Sequence, residues 1–452
     1  MYYLVYWNAC LTKKSYKSQD TLDDYFKTCY AVCLIRNIPM NIFTILFLFA
    51  LSAMLITEYW LARRQIQNVR QHRDSVPDAF SKQIDLDTHR KAADYTIART
   101  RLGLVSGFYA ALILLLFTLG GGLQLIDDLS RQWLQDPLIT GVVFIIATIF
   151  IGAVLDMPFV LYKTFGLEAR FGFNKTTAGL FVTDLIKQTL LFLLIGVPLL
   201  YTALWLMQAS GNLWWLYLWL VWMAFNLLAM IIYPVWIAPL FNKFKPLEDE
   251  AVSSSVKELM KRTGFKVQGL FVVDGSRRSA HSNAYFTGLG KSKRVVFFDT
   301  LLDSLSADEI VAVLAHELGH FKRRHIIKRI SVLFLISLIA LALLGQLMQQ
   351  QWFYEGLGMT TPSNHAALML FMMVGPVFMF FIHPVSSWFS RKHEFEADDY
   401  AKENASASDL ITALLKLYRD NANTLTPDPV HSAYYDSHPP ATIRIKHLLS
   451  AG

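Results

Sequence analysis

Apolar residues gather into seven runs along the chain, at about 42–62, 104–126, 137–162, 183–208, 213–240, 329–347 and 366–389. A run of about 18 or more apolar residues is long enough to cross the bilayer as a helix, which satisfies its own backbone hydrogen bonds. The pattern therefore predicts an α-helical integral membrane protein with seven transmembrane helices. Two stretches are polar enough for aqueous structure, 241–328 and 390–452. The expected organisation is an unassigned extension over 1–39, spans one to five with their loops over 40–240, a first polar region over 241–328, spans six and seven over 329–389, and a second polar region over 390–452.

Inside the polar stretches the period changes. LEDEAVSSSVKELMKRTGF has the repeat of an amphipathic helix with a stop at Gly264. KVQGLFVVD, HSNAYFTGLG and KRVVFFDTLL read as three strands, the last two joined by a glycine-containing turn. Ser306 and Glu309 form a Ser-x-x-Glu capping box, so a helix begins there and runs through AVLAHELGHFKRRH straight into span six. A second helix, SRKHEFEADDYAKE, leaves span seven. Spans six and seven are joined by only the 18 residues 348–365, so they are antiparallel neighbours. Their ends on the polar side lie together, which brings HELGH and EFEADD side by side.

Composition supports the membrane assignment. Hydrophobic residues make up 54% and charged residues 17%, against about 25% charged in an ordinary soluble domain. Aromatic residues near span ends, such as Trp214, Trp215, Trp352, Phe353 and Tyr354, suit interface anchors. In a membrane chain the net charge of +7 calls for no nucleic acid; the bilayer is the expected partner. The distribution says more. Segment 63–101 holds nine Lys and Arg, 163–180 holds three, 127–136 holds only Arg131, and the connections at 209–212 and 348–365 hold none. The positive-inside rule then places the N-terminus outside or in a lumen, and both polar regions and the C-terminus in the cytoplasm.

Cys10, Cys29 and Cys33 suggest no disulfide framework and read as ordinary thiols. Residues 1–39 lack a signal-peptide pattern and read as a polar extension or as sequence upstream of a start at Met40. Four polar residues fall inside spans: Asp156, Asp184, Lys187 and Asn226. Hydrocarbon makes such groups costly, so they either pair with each other inside the bundle or line a wet cavity.

The chemistry sits in HELGH. On a helix His316 and His320 lie one turn apart on one face. Two imidazoles so placed can bind one Zn²⁺ at about 2.0–2.1 Å. Glu317, beside that face, is positioned to bind the metal's water and act as general base. Gly319 allows backbone or substrate to approach. Catalytic zinc takes three protein ligands and keeps one position open, so one further ligand is required. Glu394 is the assigned third ligand, with Glu396 as the rival. Asp398, four residues on from Glu394, is the expected acceptor for a ligand imidazole N–H. His325 reads as a basic juxtamembrane residue. HSNAYFTGLG suits an edge strand that pairs with a peptide substrate, with Asn283 and Ala284 supplying polar contacts. His438 and Arg444 in SHPPATIR are candidates for stabilising an oxyanion, although spacing does not establish it. One function class is a membrane zinc endopeptidase. The other is a transporter or channel with a vestigial zinc motif, whose pathway would use Asp156, Asp184 and Lys187.

From about residue 42 to the end, six blocks in order resemble the CAAX prenyl protease type I family of integral-membrane zinc metalloendopeptidases. They are KTFGLEARFGFNKTT, IAPLFNKFKPLED, DGSRRSAHSNAYFTGLGKSKRVVFFDTLL, VLAHELGHFKRRH, SRKHEFEADDYA and SHPPATIRI. The resemblance implies seven helices enclosing a water-filled chamber and a cytoplasmic thermolysin-like metallopeptidase domain of helices plus a small β-sheet. It implies one zinc per chain on His316, His320 and Glu394, Glu317 as base, and substrate or transition-state roles for Asn283, His438 and Arg444. The expected partner is a peptide or protein substrate: a prenylated protein processed at a C-terminal CAAX sequence, or a membrane protein removed by quality control. Three features depart from the family pattern. Residues 1–39 match nothing in it, Glu396 stands where relatives commonly carry Gln, and the region 348–365 is short.

Overall fold

The computed structural model of the chain describes residues 40–78, 80–266, 268–287 and 294–450. The extension with Cys10, Cys29 and Cys33, and the turn expected between the last two strands, lie outside the described residues. Among the described residues, seven helices are long and apolar enough to cross a membrane: Ile42–Gln71, Leu86–Phe117, Pro137–Glu168, Ala178–Ala209, Gly211–Phe241, His325–Leu347 and Asn364–Asn404. Side-chain caps set several of the starts. Asn41, Asp85, Asp136, Thr177 and Ser363 each accept a backbone N–H from the first turn of the helix that follows, which meets the orphan donors there.

Several helices outrun their apolar stretches. Spans one, two and seven continue as polar helix at one end of the bundle and meet the polar regions there. Arg64 on span one forms a two-pronged pair with Asp428, at 3.1 and 3.0 Å. Span two starts earlier and stops sooner than its apolar run suggests. It ends at Phe117, a turn follows with Gly121 at φ 76°, and a separate helix α1 (Gly122–Trp133) begins. Only glycine adopts that left-handed backbone without a Cβ penalty, so residues 118–126 do not belong to the span. Helix α1 buries Gln124, Asp127 and Ser130 together with Leu123, and exposes Leu125, Leu129 and Trp133. Most of its outward face is thus apolar, as in a helix lying at a membrane interface.

At the end opposite α1, where the polar helix ends meet the polar regions, lies a four-stranded sheet, ordered β1 (Phe244–Pro246), β2 (Gly269–Val273), β4 (Arg294–Phe298), β3 (Ala284–Thr287). Strands β2 and β4 are parallel, and β1 and β3 pair antiparallel at the two edges. Strand β1 comes from the start of the fifth connection, just after span five, and was not among the expected strands; three residues are too few to show alternation. Helices α2 (Glu250–Thr263), α3 (Ala307–Lys322), α4 (Ala407–Asp420), α5 (Pro429–Tyr435) and α6 (Ala441–Leu449) complete this part. Val256 and Leu259 of α2, Val295 and Phe297 of β4, and Ile310 and Leu314 of α3 form its core.

Helix α3 does not run straight into span six. It stops at Lys322, Arg324 takes a left-handed φ of 57°, and a new helix starts at His325. The in-span polar residues meet only one of the two expected fates, the cavity, and do so through Asp156. Asp184 pairs with Arg278 at 2.8 and 2.9 Å. Lys187 donates to the carbonyl of Leu240, and Asn226 to that of Trp222. None of the four pairs with another of the four. Asp156 instead lines a cavity of about 1150 Å³ that spans one to three share with the sheet-bearing part; Glu58 and Arg99 lie on its span side, and Asn283, His316 and Glu317 on the other.

Candidate active site

The capping box drawn from the sequence is present at α3, with Ser306 and Glu309 satisfying each other's backbone N–H. It anchors the helix that presents His316. One turn on, Gly319 packs against the backbone of the seventh helix: a Cβ there would lie 2.8 Å from Ala397 Cα. Glycine is thus what lets the HELGH and EFEADD helices approach. The close approach is between backbones.

Across that contact three donor groups converge. Glu394 Oε2 lies 3.3 Å from His316 Nε2, and Oε1 lies 3.4 Å from His320 Nε2. The two imidazole Nε2 atoms are 3.3 Å apart. Ligand atoms of all three residues lie within 4.8 Å of one another. His316 and Glu394 are buried, yet Glu394 Oε2 makes no hydrogen bond. A buried acceptor left unmet costs about 1–3 kcal/mol, so something electropositive belongs beside it. His316 tells the same story. Burial and Arg444 disfavour its charged form, but the neighbouring carboxylates of Asp398 and Glu394 prevail and push its pKa up to about 9. The pocket draws positive charge to itself. Two imidazoles and a carboxylate are also the donor set of a three-ligand catalytic zinc site, and the residues present fit such an ion.

A second layer surrounds the cluster. Asp398 Oδ1 lies 2.8 Å from His316 Nδ1. A carboxylate only accepts, so Nδ1 carries a proton, and Nε2 is the ring atom turned to Glu394. Asp398 also takes Arg444 Nε at 2.9 Å, and Arg444 Nη1 lies 3.8 Å from Glu394 Oε2. His438 Nε2 is 3.3 Å from Glu394 Oε1. Although its side chain is 61% exposed, that surface faces the cavity, which His438 lines. Desolvation there lowers its pKa below the ordinary imidazole value, against the pull of Glu394.

Glu317 is half-buried, lines the same cavity and makes no hydrogen bond or ion pair among the described residues. Asn283 and Ala284 line it too, at the start of the edge strand β3. Asn283 Oδ1 accepts the Ala284 N–H at 2.8 Å. So the structure brings His316, His320, Glu394, Asp398, His438 and Arg444 into one cluster, and opens it on a cavity reached by Glu317, Asn283 and Ala284. Glu396 stands apart: its carboxylate lies 3.0 Å from His325 Nε2. His325, read from the sequence as a juxtamembrane base, is only 5% exposed and reaches His320. Spacing carried no signal for that contact, because residues five apart do not face each other on an unbroken helix.

Comparison with known proteins agrees in kind. Residues 65–243 match the model of the CAAX prenyl protease N-terminal region, five membrane helices, and residues 246–451 match peptidase family M48. CAAX prenyl protease 1 of Saccharomyces cerevisiae is 33% identical over 428 residues, covering 86% of this chain and 92% of the yeast protein. The Homo sapiens homologue is 29% identical at the same coverages. The crystal structure of S. mikatae Ste24p superposes with a TM-score of 0.85 at 32% identity, covering 91% of this chain and 100% of that one. A vestigial motif on a transporter is not what these likenesses describe. With its seven apolar helices and His/Glu cluster, the chain belongs to peptidase family M48 and is a membrane metallopeptidase homologous to the CAAX prenyl protease 1 enzymes.

Proposed function

We propose that His316, His320 and Glu394 hold one zinc ion and that this site hydrolyses peptide bonds of substrates reaching it through the cavity. The observation that carries the reading is the triangle of three donor groups, one with an unmet buried oxygen, opening on a cavity of about 1150 Å³ walled partly by membrane spans. The ion supplies Lewis acidity, which acidifies a water and polarises a carbonyl oxygen. Glu317, free of competing partners, takes the proton of the attacking water and passes it to the leaving amine. His438, held neutral by its lowered pKa and with Nδ1 3.0 Å from Ser437 Oγ, offers Nε2–H to the developing oxyanion. Arg444 lends positive charge from the same wall, anchored by Asp398. Asp398 itself orients His316. The free edge of β3, led by Asn283 and Ala284, adds the substrate as a further strand.

The substrate reading is C-terminal processing of prenylated CAAX-type proteins, supported by the names of the relatives and by a cavity that borders the bilayer. The charge asymmetry of the connections supports a cytoplasmic catalytic end and an N-terminus outside or in a lumen. Metal analysis and cleavage by purified protein test the site. Glu317→Gln is expected to keep zinc and lose cleavage, and His316→Ala to lose zinc; full zinc in His316→Ala would reject the ligand set. A farnesylated CAAX peptide should be cut faster than the same peptide without lipid. Equal rates would remove prenyl recognition and favour general quality control of membrane proteins.

A further inference from the structure

The residues set aside on the sequence form a line behind His320. His320 Nδ1 lies 2.9 Å from His325 Nδ1, and His325 Nε2 lies 3.0 Å from Glu396 Oε2. His325 is 5% exposed, and its ring stacks on His393 at 4.0 Å between centroids and 14° between planes. Lys328 Nζ lies 3.9 Å from the same Glu396 oxygen. Two imidazole nitrogens 2.9 Å apart, on the side away from the metal-binding cluster, cannot both be bare acceptors; one must carry the proton. Which one does follows from the far end of the line.

Glu396 only accepts, so the proton on His325 sits at Nε2. His325 Nδ1 is then a lone pair, and His320 Nδ1 must donate to it. That leaves His320 Nε2 unprotonated on the side facing Glu394 and His316. We infer that His325 and Glu396 form a hydrogen-bond relay that locks the tautomer and ring orientation of His320, making both of them positioning residues for the metal. This rests on the reading of His320 as a zinc ligand. Asp398 does the same for His316 directly; the HELGH helix thus has two orienting arms, one of a single carboxylate and one of an imidazole plus a carboxylate.

The backbone is bent to make the second arm. In an uninterrupted helix His325 would point well away from His320. The left-handed turn at Arg324, φ 57°, starts a new helix at His325 and swings its ring back. A non-glycine residue in that region costs about 1–2 kcal/mol, and such strain collects where geometry serves function.

The test is zinc affinity by chelator competition, read beside the visible spectrum of the cobalt-substituted protein and the thermal midpoint of the metal-free protein. Removing an outer-layer partner typically weakens metal binding about 10–100-fold. His325→Phe, which keeps the stack on His393 but cannot accept, should fall in that range with an altered cobalt spectrum and little change in the metal-free midpoint. Glu396→Ala should weaken binding in the same direction by less. Glu396→Gln keeps an acceptor oxygen and should restore most of the affinity and the wild-type spectrum. Should His325→Phe not fold, the half-exposed Glu396 pair decides. Wild-type affinity and spectrum in Glu396→Ala, or a Glu396→Gln that falls as far as Glu396→Ala, would overturn the relay. His320→Ala separates the two readings: if it keeps zinc, the ligand assignment fails; if it loses zinc while His325→Phe and Glu396→Ala do not, only the relay fails.

Discussion

Two buried clusters of histidine, aspartate and arginine lie at opposite ends of this molecule, and they are built to different ends. Away from the sheet, Asp127 Oδ1 meets His365 Nε2 at 2.8 Å and Oδ2 meets Arg131 Nε at 2.9 Å. Gln124 Oε1 there accepts from both the N–H and the hydroxyl of Thr360, at 2.8 and 3.1 Å. Each of these acceptor atoms is used. The cluster ties α1 to the start of span seven and to the loop before it. At the sheet end, Glu394 Oε2 is buried and unmet, and Glu317 has no partner among the described residues. Residue type does not distinguish the two. What does is whether the polar atoms close on each other or leave room for something else: a closed network holds a fold together, and an open one awaits a ligand.

The largest expected effect separates them most cleanly. A general base contributes about 10²–10⁴-fold to a rate. Glu317→Gln should therefore lower kcat/KM by about 10³-fold or more, which is about 4 kcal/mol of barrier. With no partner to lose, the thermal midpoint should stay at the wild-type value. Steady-state kinetics beside thermal melting in detergent checks both; a large fall in midpoint would mean that Glu317 is structural after all.

The mirror experiment is Asp127→Ala. It strands Arg131 and a buried His365, and removing one member of a buried charged pair costs about 3–5 kcal/mol. Arg131 is 41% exposed and can turn to water, so about 2–3 kcal/mol is expected. Activity per folded molecule should not change. Lost activity without lost stability would deny that this end is purely structural.

Acid sharpens the same contrast by a smaller amount. Burial alone would raise the pKa of Asp127, but hydrogen bonds from His365 and Arg131 outweigh it and hold the carboxyl below its ordinary value. A depressed folded-state pKa gives stability that is present above the unfolded aspartate value of about 3.9. That stability is lost as pH falls through the lower folded value. Wild type should thus lose more stability than Asp127→Asn below about pH 4. Parallel curves of thermal midpoint against pH would remove Asp127 from the account.

How much of this was legible beforehand follows the same divide. Seven spans were visible because hydrocarbon demands long apolar runs, and the HELGH and EFEADD helices were paired because the 18-residue connection 348–365 leaves spans six and seven little choice. Glu394 and Asp398 could be put on one face from their spacing of four. The end of span two falls short of its apolar run because the helix breaks at Thr118, ψ −95°, and the chain folds back closely through Gly120, Gly121 and Gly122. The distal network was invisible: Asp127 and His365 are 238 residues apart and share no motif. His325 reads from the sequence as a juxtamembrane base because one left-handed residue, Arg324, leaves no mark in a hydrophobicity pattern.

That residue supplies the finest comparison. Each end of the bundle has a turn that needs a left-handed backbone. The distal turn uses Gly121, φ 76°, and the turn at the site uses Arg324, φ 57°. Glycine adopts this conformation without a Cβ penalty, while arginine carries about 1–2 kcal/mol of strain there. Arg324→Gly should relieve that strain, but it also gives the unfolded chain more freedom to lose, so the net gain should be under about 1 kcal/mol. A small rise in thermal midpoint, with zinc affinity within a few-fold of wild type, is the expected result. A fall in midpoint would mean that the Arg324 side chain holds the turn by contacts that outweigh its strain, and the contrast with Gly121 would then lie in those contacts and not in the backbone.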